Sequence, residues 1–255
     1  MYSKELRVAI KAAKEAGKIT MEYFGKVTPK VKKDKTLVTR ADISSERTIR
    51  KILTDRFPEY SILGEELKKK KTKSEFMWVV DPLDGTTNFS MQNPLFSIII
   101  ALSKLDRPVM GVVYVPFTKE LFYAIEGKGA YLNKKRIKVS DETNIKKSFL
   151  LFCHGSGRKN VKMAMDFFTK TKTMNEKVRQ LGSAGIELCY IASGRADAFF
   201  VPGVKPWDIA AGSLIVEEAG GKVTDINGNR YNLYTKEIVA SNGRIHRKIL
   251  NLIKR

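Results

Sequence analysis

Two aspartates three residues apart, Asp81 and Asp84, follow the apolar run WVV at residues 78–80. This run predicts a buried strand, so both carboxylates would leave the end of that strand, with Pro82 restraining the backbone between them. Paired carboxylates at a strand end suit a hard divalent cation such as Mg²⁺, which prefers oxygen ligands. A surface turn is the alternative interpretation, because Asp-Pro and Asp-Gly are common turn dipeptides.

The residues after Asp84 have the chemistry to hold a phosphate group. Gly85 permits a sharp turn, and Thr86, Thr87 and Asn88 carry the hydroxyl and amide groups that begin helices. The backbone N–H groups and the dipole at a helix N-terminus attract phosphate oxygens. Hydrolysis of a phosphate ester needs an activated water and neutralisation of the leaving oxygen, which metal ions ~3.5–4 Å apart can supply. The motif therefore predicts metal-dependent phosphoryl chemistry.

Two further acidic sites also stand at the ends of predicted elements. Glu65 and Glu66 follow the apolar pair IL at residues 62–63, and Asp208 follows Trp207 at the head of a helix rich in small residues. Each of these sites alone could be a surface turn or a helix N-cap. Three carboxylate sites at element ends, in this order, are hard to attribute to chance.

The elements that must position these side chains begin with two helices. Apolar residues at three-to-four spacing predict a helix over residues 3–24, ended by Gly25, and a second helix over residues 41–57, ended by Pro58. Between them, the polar and Lys-rich stretch 28–35 predicts a mobile surface loop.

The rest of the chain divides into a β-rich part and an alternating part. From Phe76 onward, β-rich runs separated by turn residues predict a mostly antiparallel sheet. After about residue 145 the pattern favours a second α/β set, so we expect an N-terminal α+β half at 1–145 and a C-terminal α/β half at 146–255. The elements predicted in the C-terminal half are helices at 159–173 and 183–193, a strand at 196–201 and a helix from Trp207.

The composition is that of a folded protein with a strong positive charge. Lys and Arg number 47 against 27 Asp and Glu, a formal charge of +20. This excess favours contact with anions, but the basic residues are spread along the chain and do not alternate with aromatic ones, so we do not expect specific nucleic-acid binding. The dense run at residues 68–71 predicts a solvated loop.

The sequence also bears on compartment and on other catalytic chemistries. It has no apolar run near the roughly 20 residues of a membrane span and no signal-like start, so we expect a cytoplasmic protein with no membrane partner. Cys153 and Cys189 stand in apolar surroundings and are predicted to be inert core residues in a reducing compartment. His154 and His246 give no basis for histidine-based phosphoryl transfer.

Taken together, these motifs resemble the inositol monophosphatase superfamily, which includes archaeal-type fructose-1,6-bisphosphatases. The resemblance covers nearly the whole chain. It implies a mixed α+β / α/β fold, a layered αβαβα sandwich of the sugar-phosphatase type, and assembly as a homodimer. The motifs that carry it are VTRAD at 38–42, GEE at 64–66, DPLDGTTNF at 81–89, GKGAYLN at 127–133, GSA at 182–184, WD at 207–208, EAGG at 218–221 and SNG at 241–243.

The resemblance also implies roles for individual residues. Glu65, Thr86 and Asp84 would be catalytic. Glu65 and Thr86 would orient a water bound to the metal and help to activate it. Asp42, Glu66 and Lys32, the last on a loop that closes over the site, would support the metal ligands. The implied ligands of two to three Mg²⁺ ions per subunit are Glu65, Asp81, the Leu83 carbonyl, Asp84 and Asp208. The implied substrate contacts are Gly85, Thr86, Thr87, Ala184, Arg179 and Lys205.

The expected partner is a small phosphorylated metabolite, either a sugar or a cyclitol phosphate such as inositol monophosphate or fructose 1,6-bisphosphate. Thr87 favours this branch, because relatives that act on histidinol phosphate or adenosine 3′,5′-bisphosphate tend to carry Lys or Arg there. Val201 stands where inositol-selective members often carry a Glu, which argues against strict inositol selectivity. Arg179, Arg195 and Lys205 could reach a second phosphate.

Three alternatives to this function stay open. One is a histidinol-phosphate or adenosine 3′,5′-bisphosphate phosphatase of the same superfamily. Another is a nucleic-acid or transcription-complex binding protein, which only the charge of +20 supports. The last is a scaffold that has kept the fold without activity, although the complete carboxylate set argues against it.

Overall fold

The structure is a computed structural model that describes residues 2–33, 35–175 and 177–254. The first helix shows why its segment is helical: Ala9, Ala12, Ala13 and Ala16 lie on one face at three-to-four spacing and are fully buried. The described residues form the helices α1 (Ser3–Tyr23), α2 (Arg40–Arg56), α3 (Thr86–Ser90), α4 (Arg158–Lys172), α5 (Ala184–Ala192), α6 (Pro206–Glu218) and α7 (His246–Lys254).

The strands form a seven-stranded sheet, a five-stranded sheet and a two-stranded ribbon. Strands β1 to β7 are Lys30–Val31, Leu37–Val38, Ser61–Gly64, Phe76–Asp84, Ser97–Lys104, Arg107–Val115 and Glu120–Ile125. Strands β8 to β14 are Ala130–Leu132, Lys135–Arg136, Leu150–Phe152, Val178–Arg179, Ala198–Pro202, Lys222–Thr224 and Glu237–Ser241.

The seven-stranded sheet runs in the order β3-β4-β5-β6-β7-β8-β9. It is antiparallel throughout except for the β3–β4 pair, which is parallel. As a result, β3 and β4 end at the same edge of this sheet, one before Glu65 and the other at Asp84. The five-stranded sheet runs β11-β10-β12-β14-β13, with β10 parallel to both of its neighbours.

The elements stack in five layers. Helices α1 and α2 cover one face of the seven-stranded sheet, and α5 and α6 lie between that sheet and the five-stranded one. Helices α4 and α7 cover the outer face of the five-stranded sheet. The predicted layered αβαβα sandwich is thus confirmed. Its largest core cluster includes Val79 and Phe199, from the two sides of residue 145, and the division into two halves stays a prediction.

Small residues let α6 approach the seven-stranded sheet closely. Gly111 in β6 faces α6, where a Cβ on Gly111 would lie 2.8 Å from the Cα of Ala211. Gly212 on the same helix faces α5, where its Cβ would lie 2.6 Å from a Leu188 methyl carbon. No helix in the described part of the chain is both long and apolar enough to cross a membrane.

The structure corrects one prediction about the elements. The stretch 28–35, predicted to be a surface loop, contains β1, which pairs with β2 to form a hairpin. Because both residues of β1 are exposed, β1 has no apolar alternation to reveal a strand. Backbone bonds such as Lys32 N–H to the Thr36 carbonyl, at 2.7 Å, hold it instead.

Candidate active site

The end of β4 turns the two aspartates of the central motif inward. The pairing of β4 with β5 shifts register between Asp81 and Asp84, as expected for an irregular strand end that contains Pro82. Asp81 Oδ1 accepts the Leu83 N–H at 3.0 Å, and the Ser45 hydroxyl on α2 donates to the Pro82 carbonyl at 2.8 Å. Both aspartates are buried, and Asp81 is held by a backbone N–H two residues along the chain.

Gly85 makes the turn from β4 into α3. Its φ of 89° lies in the left-handed region, and an added Cβ would lie 2.9 Å from the Leu95 carbonyl oxygen, so other residues would be strained there. The Thr86 hydroxyl points back along the turn and lies 3.1 Å from Asp42 Oδ1 and 3.0 Å from the Leu83 carbonyl oxygen. The turn thus brings a hydroxyl group beside the aspartates.

Asp84 is the best-anchored carboxylate of the site. The hydroxyls of Ser97 and Ser183 donate to Oδ2, with the Ser97 bond at 2.8 Å. The backbone N–H groups of Ala184 and Gly185, in the first turn of α5, donate at 3.1 and 3.0 Å. Burial raises the pKa of Asp84, while these hydrogen bonds favour its charged form. The N-terminus of α5 therefore fixes the position of Asp84.

Glu65 and Glu66 share one counter-charge from the β1–β2 hairpin. The ammonium group of Lys32 lies 2.7 Å from Glu65 Oε1 and 2.5 Å from Glu66 Oε1. Burial alone would lower the pKa of Lys32, but the hydrogen bonds with both glutamates raise it above its usual range. Burial raises the pKa of Glu66 to about 7, despite the opposing effect of Lys32. The hairpin thus lies against the carboxylates of the site.

Asp208 comes from the second half of the chain. It stands in the first turn of α6, where its Oδ2 accepts the Lys205 N–H at 2.8 Å. Burial raises the pKa of Asp208 to about 8, and the charges of Asp84 and Glu65 add to this effect. Burial, together with the charges of Glu65, Asp84 and Asp208, also raises the pKa of Asp81. Four carboxylates, from the end of β3, from β4 and from the start of α6, therefore repel one another across one site.

These groups line a single cavity of about 770 Å³. The wall of this cavity also includes Gly85, Thr86 and Thr87, the turn predicted to bind phosphate. Among the described residues on this wall, Lys35 is the one cation. The predicted residues that line the cavity are Glu65, Asp81, Leu83, Asp84, Gly85, Thr86, Thr87, Ala184 and Asp208.

The donor chemistry of this cavity fits Mg²⁺, because hard oxygen ligands and unbalanced negative charge both favour a hard cation. Within residues 2–33, 35–175 and 177–254, however, no three His, Cys, Asp or Glu side chains are arranged so that they could hold a metal ion. In this structure Asp84 accepts four hydrogen bonds, Asp208 caps α6, and Glu65 is paired with Lys32. The carboxylates therefore share one cavity, while Asp84, Asp208 and Glu65 accept hydrogen bonds from donors of the protein itself.

Five other predicted residues lie outside the cavity wall. Asp42, Lys32 and Glu66 contact residues that line it, as described above. Arg179 and Lys205 are exposed: the Arg179 guanidinium donates to the Val178 carbonyl at 2.8 Å, and Lys205 precedes α6. The structure therefore does not bring these two cations into the cavity.

Arg195, a third candidate for a second phosphate, is ion-paired with Glu120 at 2.5 Å. Cys153, predicted to be a core residue, is instead partly exposed, because the segment after β10 forms part of the cavity wall. Burial still raises the pKa of its thiol, which favours the protonated form.

Sequence reasoning missed several residues of the site. Ser97 and Ser183 hold Asp84, yet Ser97 is a lone serine in a strand, and the motif GSA at 182–184 did not reveal this role of Ser183. Apart from Val201, the position where inositol-selective members often carry a Glu, the far wall of the cavity also went unpredicted, because its loops meet only in the folded chain. That wall comprises Cys153, His154, Gly155, Ser156, Gly157, Gln180, Leu181, Val201, Gly203 and Val204.

Comparisons with known proteins agree with this geometry. The inositol monophosphatase family model matches residues 1–255. The chain is 39% identical over 256 residues to the Nus factor SuhB of Pasteurella multocida, covering 98% of this chain and 95% of the relative. It is 34% identical over 256 residues to the fructose-1,6-bisphosphatase/inositol-1-monophosphatase of Aquifex aeolicus, covering 99% and 96%. An IMPase structure from Thermotoga maritima superimposes with a TM-score of 0.91 at 33% identity, covering 98% and 97%.

Proposed function

Since this chain belongs to the inositol monophosphatase family and is a phosphatase, we propose that it hydrolyses phosphate monoesters of small sugars or cyclitols, with Mg²⁺ as its cofactor. One observation carries this proposal: Glu65, Asp81, Asp84 and Asp208 line the same cavity as the turn at Gly85. A cavity of about 770 Å³ is of the size that encloses a small-molecule ligand.

The residues that would hold the cofactor are the four carboxylates and the Leu83 carbonyl, for two to three Mg²⁺ ions per subunit. When bound, Mg²⁺ would polarise the phosphoryl oxygens and neutralise charge on the leaving oxygen. A cation at Glu65 would compete with the ammonium group of Lys32, which lies 2.7 Å from that carboxylate. Binding of a cation to Glu65 would therefore weaken the ion pair between Glu65 and Lys32.

Side chains of the protein can orient the attacking water and help to remove its proton. The Thr86 hydroxyl lies 3.1 Å from Asp42 Oδ1. When Thr86 donates its proton to Asp42, its oxygen can accept a hydrogen bond from water in the cavity. Asp42 is fully buried and also accepts the Thr39 N–H at 2.7 Å, which fixes its orientation. Glu65, which also lines the cavity, is the second group proposed to orient the water.

The cavity wall supports a neutral polyol as the group that carries the phosphate. Beyond the carboxylates, the wall presents Leu181, Val201 and Val204 together with the polar side chains of Gln180 and His154. The relatives named fructose-1,6-bisphosphatase/inositol-1-monophosphatase support the same substrate class. Hydrolysis of histidinol phosphate or adenosine 3′,5′-bisphosphate is the alternative within the family.

Phosphate release from a defined substrate panel tests this function. The panel contains inositol 1-phosphate, fructose 1,6-bisphosphate, histidinol phosphate and adenosine 3′,5′-bisphosphate, each assayed with Mg²⁺ and with a chelator. We expect Mg²⁺-dependent release from the first two. Release that persists in the chelator would refute the role of Mg²⁺, and preference for either of the last two would refute the substrate class.

A second candidate function is binding to a transcription complex. The relatives named Nus factor SuhB and the charge of +20 favour it. Electrostatic binding to RNA weakens steeply with salt, because cationic side chains release condensed counterions. Tight RNA binding that weakens steeply with salt, without Mg²⁺-dependent phosphatase activity, would favour this function over the first.

We also propose that the protein is a cytoplasmic homodimer. The support for the dimer is a set of exposed apolar side chains near the end of α1, including Met91 and Phe117, which are 76% and 48% exposed. Patches of this kind mark association surfaces in many proteins. Light scattering on the purified protein measures the assembly directly.

A further inference from the structure

A buried carboxyl group lies behind the wall of the cavity, on Glu187. This residue stands in the first turn of α5 and has no exposed surface. Its Oε1 accepts the Leu181 N–H at 2.8 Å. Its Oε2 has no hydrogen-bond partner among the described residues. A buried polar atom without a partner is costly, so a structural or functional gain must offset it.

The turn that Glu187 holds is the one that reaches Asp84. Residues 181–183 lead into α5, and the Ser183 hydroxyl and the Ala184 N–H donate to the Asp84 carboxylate. The Leu181 carbonyl accepts a hydrogen bond from the Asn88 side chain at 2.7 Å. The same short turn therefore touches both the metal-binding strand end and the helix that follows the phosphate turn.

The packing around this turn leaves little freedom. Gly85, in the phosphate turn, would place an added Cβ 3.2 Å from the Gly182 carbonyl oxygen and 3.3 Å from the Ser183 side chain. A shift of Gly182 or Ser183 would therefore press on Gly85 as well as release Asp84. Glu187 is the side chain that ties this turn back onto α5 from the side away from the cavity.

The chemistry of the position suits an uncharged carboxyl. Burial raises the pKa of Glu187 well above its usual range, and the nearby charge of Asp84 raises it further, while the N–H groups of Leu181 and Gly182 oppose the shift. A protonated carboxyl group can accept the hydrogen bond from the Leu181 N–H without adding a negative charge close to Asp84. A glutamine side chain has nearly the same shape and the same acceptor oxygen.

We propose that Glu187 is a positioning residue: through Leu181, it fixes the 181–183 turn so that the N-terminus of α5 holds Asp84 for cation binding. This inference rests on the proposed function of the cavity. It assigns to Glu187 no contact with substrate or with the reacting atoms. Its effect reaches the reaction only through the orientation of Asp84.

The test compares three variants of the full-length protein. Glu187→Leu removes the acceptor, Glu187→Gln keeps it, and Ile191→Ala opens a cavity in the same buried helix, away from the turn. Calorimetric titration with Mg²⁺, without substrate, measures cation affinity, and phosphate release measures kcat and KM. Thermal unfolding confirms that each variant is folded.

We expect Glu187→Leu to weaken Mg²⁺ binding and to lower kcat by about tenfold each, the size seen when a partner of a metal ligand is removed. Its KM should change less than threefold. Glu187→Gln should restore both values to within threefold of the unmodified protein. Ile191→Ala should lower the melting temperature but leave Mg²⁺ affinity unchanged. If Glu187→Leu does not fold, Glu187→Asp, whose carboxyl is too short to reach Leu181, should show the same loss.

Two results would overturn the inference. In one, a folded Glu187→Leu or Glu187→Asp binds Mg²⁺ as tightly as the unmodified protein. In the other, Ile191→Ala loses the same affinity, which would show a general loss of stability. If the unmodified protein releases no phosphate, the proposed function fails, yet the Mg²⁺ titrations still decide the role of Glu187.

Discussion

Asp208 joins the second half of the chain to the site, and a single substitution tests its role. Its Oδ2 accepts the Lys205 N–H at 2.8 Å, a bond that asparagine can also accept. Asp208→Asn should therefore keep the start of α6 and remove only the negative charge. We expect kcat to fall by at least about 100-fold, since even residues that merely support metal ligands contribute about 10–100-fold. Steady-state phosphate release with thermal unfolding measures this outcome.

The matched control is Asp141→Asn. Asp141 is an exposed aspartate that pairs with Arg244 at 2.9 Å, and it does not line the cavity. The Asp141→Asn substitution should leave turnover unchanged, because an exposed ion pair contributes little to stability. Near-normal turnover in Asp208→Asn would reject its place among the cation ligands.

The acidic residues could be predicted because each has a local signal. Asp81 and Asp84 follow an apolar strand, and Glu65 follows another, so their neighbours in sequence mark them as strand-end carboxylates. The partners of Asp84 have no such signal: Ser97 and Ser183 lie 13 and 99 residues away along the chain. Arg179 and Lys205 show the converse limit, because a positive charge near a motif does not reveal which way its side chain points.

At the scale of elements, the approach of α6 to β6 controls where Asp208 lies. A Cβ on Gly111 would lie 2.8 Å from both the Cα and the carbonyl oxygen of Ala211, and these backbone atoms cannot rotate away. We expect Gly111→Ala to lower the free energy of unfolding by about 1–3 kcal/mol, as overpacking does. Because α6 must shift, turnover should fall as well. Urea unfolding and phosphate release measure the two effects.

Val112→Ala distinguishes an effect on turnover that comes from lower stability from one that comes from a shift of α6. Val112 neighbours Gly111 in β6 but lies on the opposite face, in the core under α1 and α2. Its truncation should lower the free energy of unfolding without moving α6. If Val112→Ala reduced kcat as much as Gly111→Ala, the effect on turnover would come from stability alone.

His246 connects α7 to two strands of the five-stranded sheet. Its ring nitrogens lie 2.9 Å from the Thr224 hydroxyl in β13 and 2.9 Å from the Ser241 hydroxyl in β14. Burial lowers the pKa of His246 from 6.5 to about 4. Between these pH values only the unfolded chain binds the proton, so acid should reduce the free energy of unfolding. The full effect is on the order of 3 kcal/mol.

Urea unfolding of the protein and of His246→Asn, each at pH 7.5 and pH 4.5, isolates this contribution. Buried acids such as Glu187 have raised pKa values and favour the folded state as pH falls, so only the difference between the two proteins is informative. We expect the variant to lose less stability on acidification than the unmodified protein. Equal losses would show that His246 does not titrate as the structure indicates.

The elements themselves were predictable where they are long. The periodicity that predicts helices over 3–24 and 41–57 comes from buried faces, and α1 and α2 span nearly those residues. The short strands β10, β13 and β14 and the helix α7 were not predicted. Strands β10 and β13 have three residues each, too few positions to show a period, and β14 is buried at four of its five positions, so it shows no alternation. Such strands are recognisable only through their partners.

At the scale of the whole molecule, the layered arrangement explains why residues far apart in sequence share one cavity. Helices α5 and α6 lie between the two sheets, and the residues that begin them, Ser183 and Lys205, lie beside Asp84 and Asp208. The parallel pair β3–β4 brings Glu65 to the same edge. The middle layer therefore completes a site that neither sheet could form alone.

A second feature at this scale is an exposed apolar surface near the end of α1. The Phe117 ring packs against Phe24, with centroids 5.9 Å apart, and still leaves 48% of its surface exposed. Met91 is 76% exposed and precedes Gln92, whose side chain would lie 3.5 Å from a Cβ on Gly25. Met91 and Phe117 therefore flank the same end of α1. Burial of both across a subunit contact would remove them from water.

If this surface forms the homodimer, the double substitution Met91→Lys/Phe117→Lys should convert the dimer to monomers, because two charges per subunit would be buried without partners. Light scattering at micromolar concentration measures the change. The matched control is Leu105→Lys/Tyr234→Lys, at side chains that are 63% and 66% exposed elsewhere on the molecule. The control should remain dimeric. A monomeric unmodified protein, or dissociation of the control to the same extent, would contradict this assignment of the subunit contact.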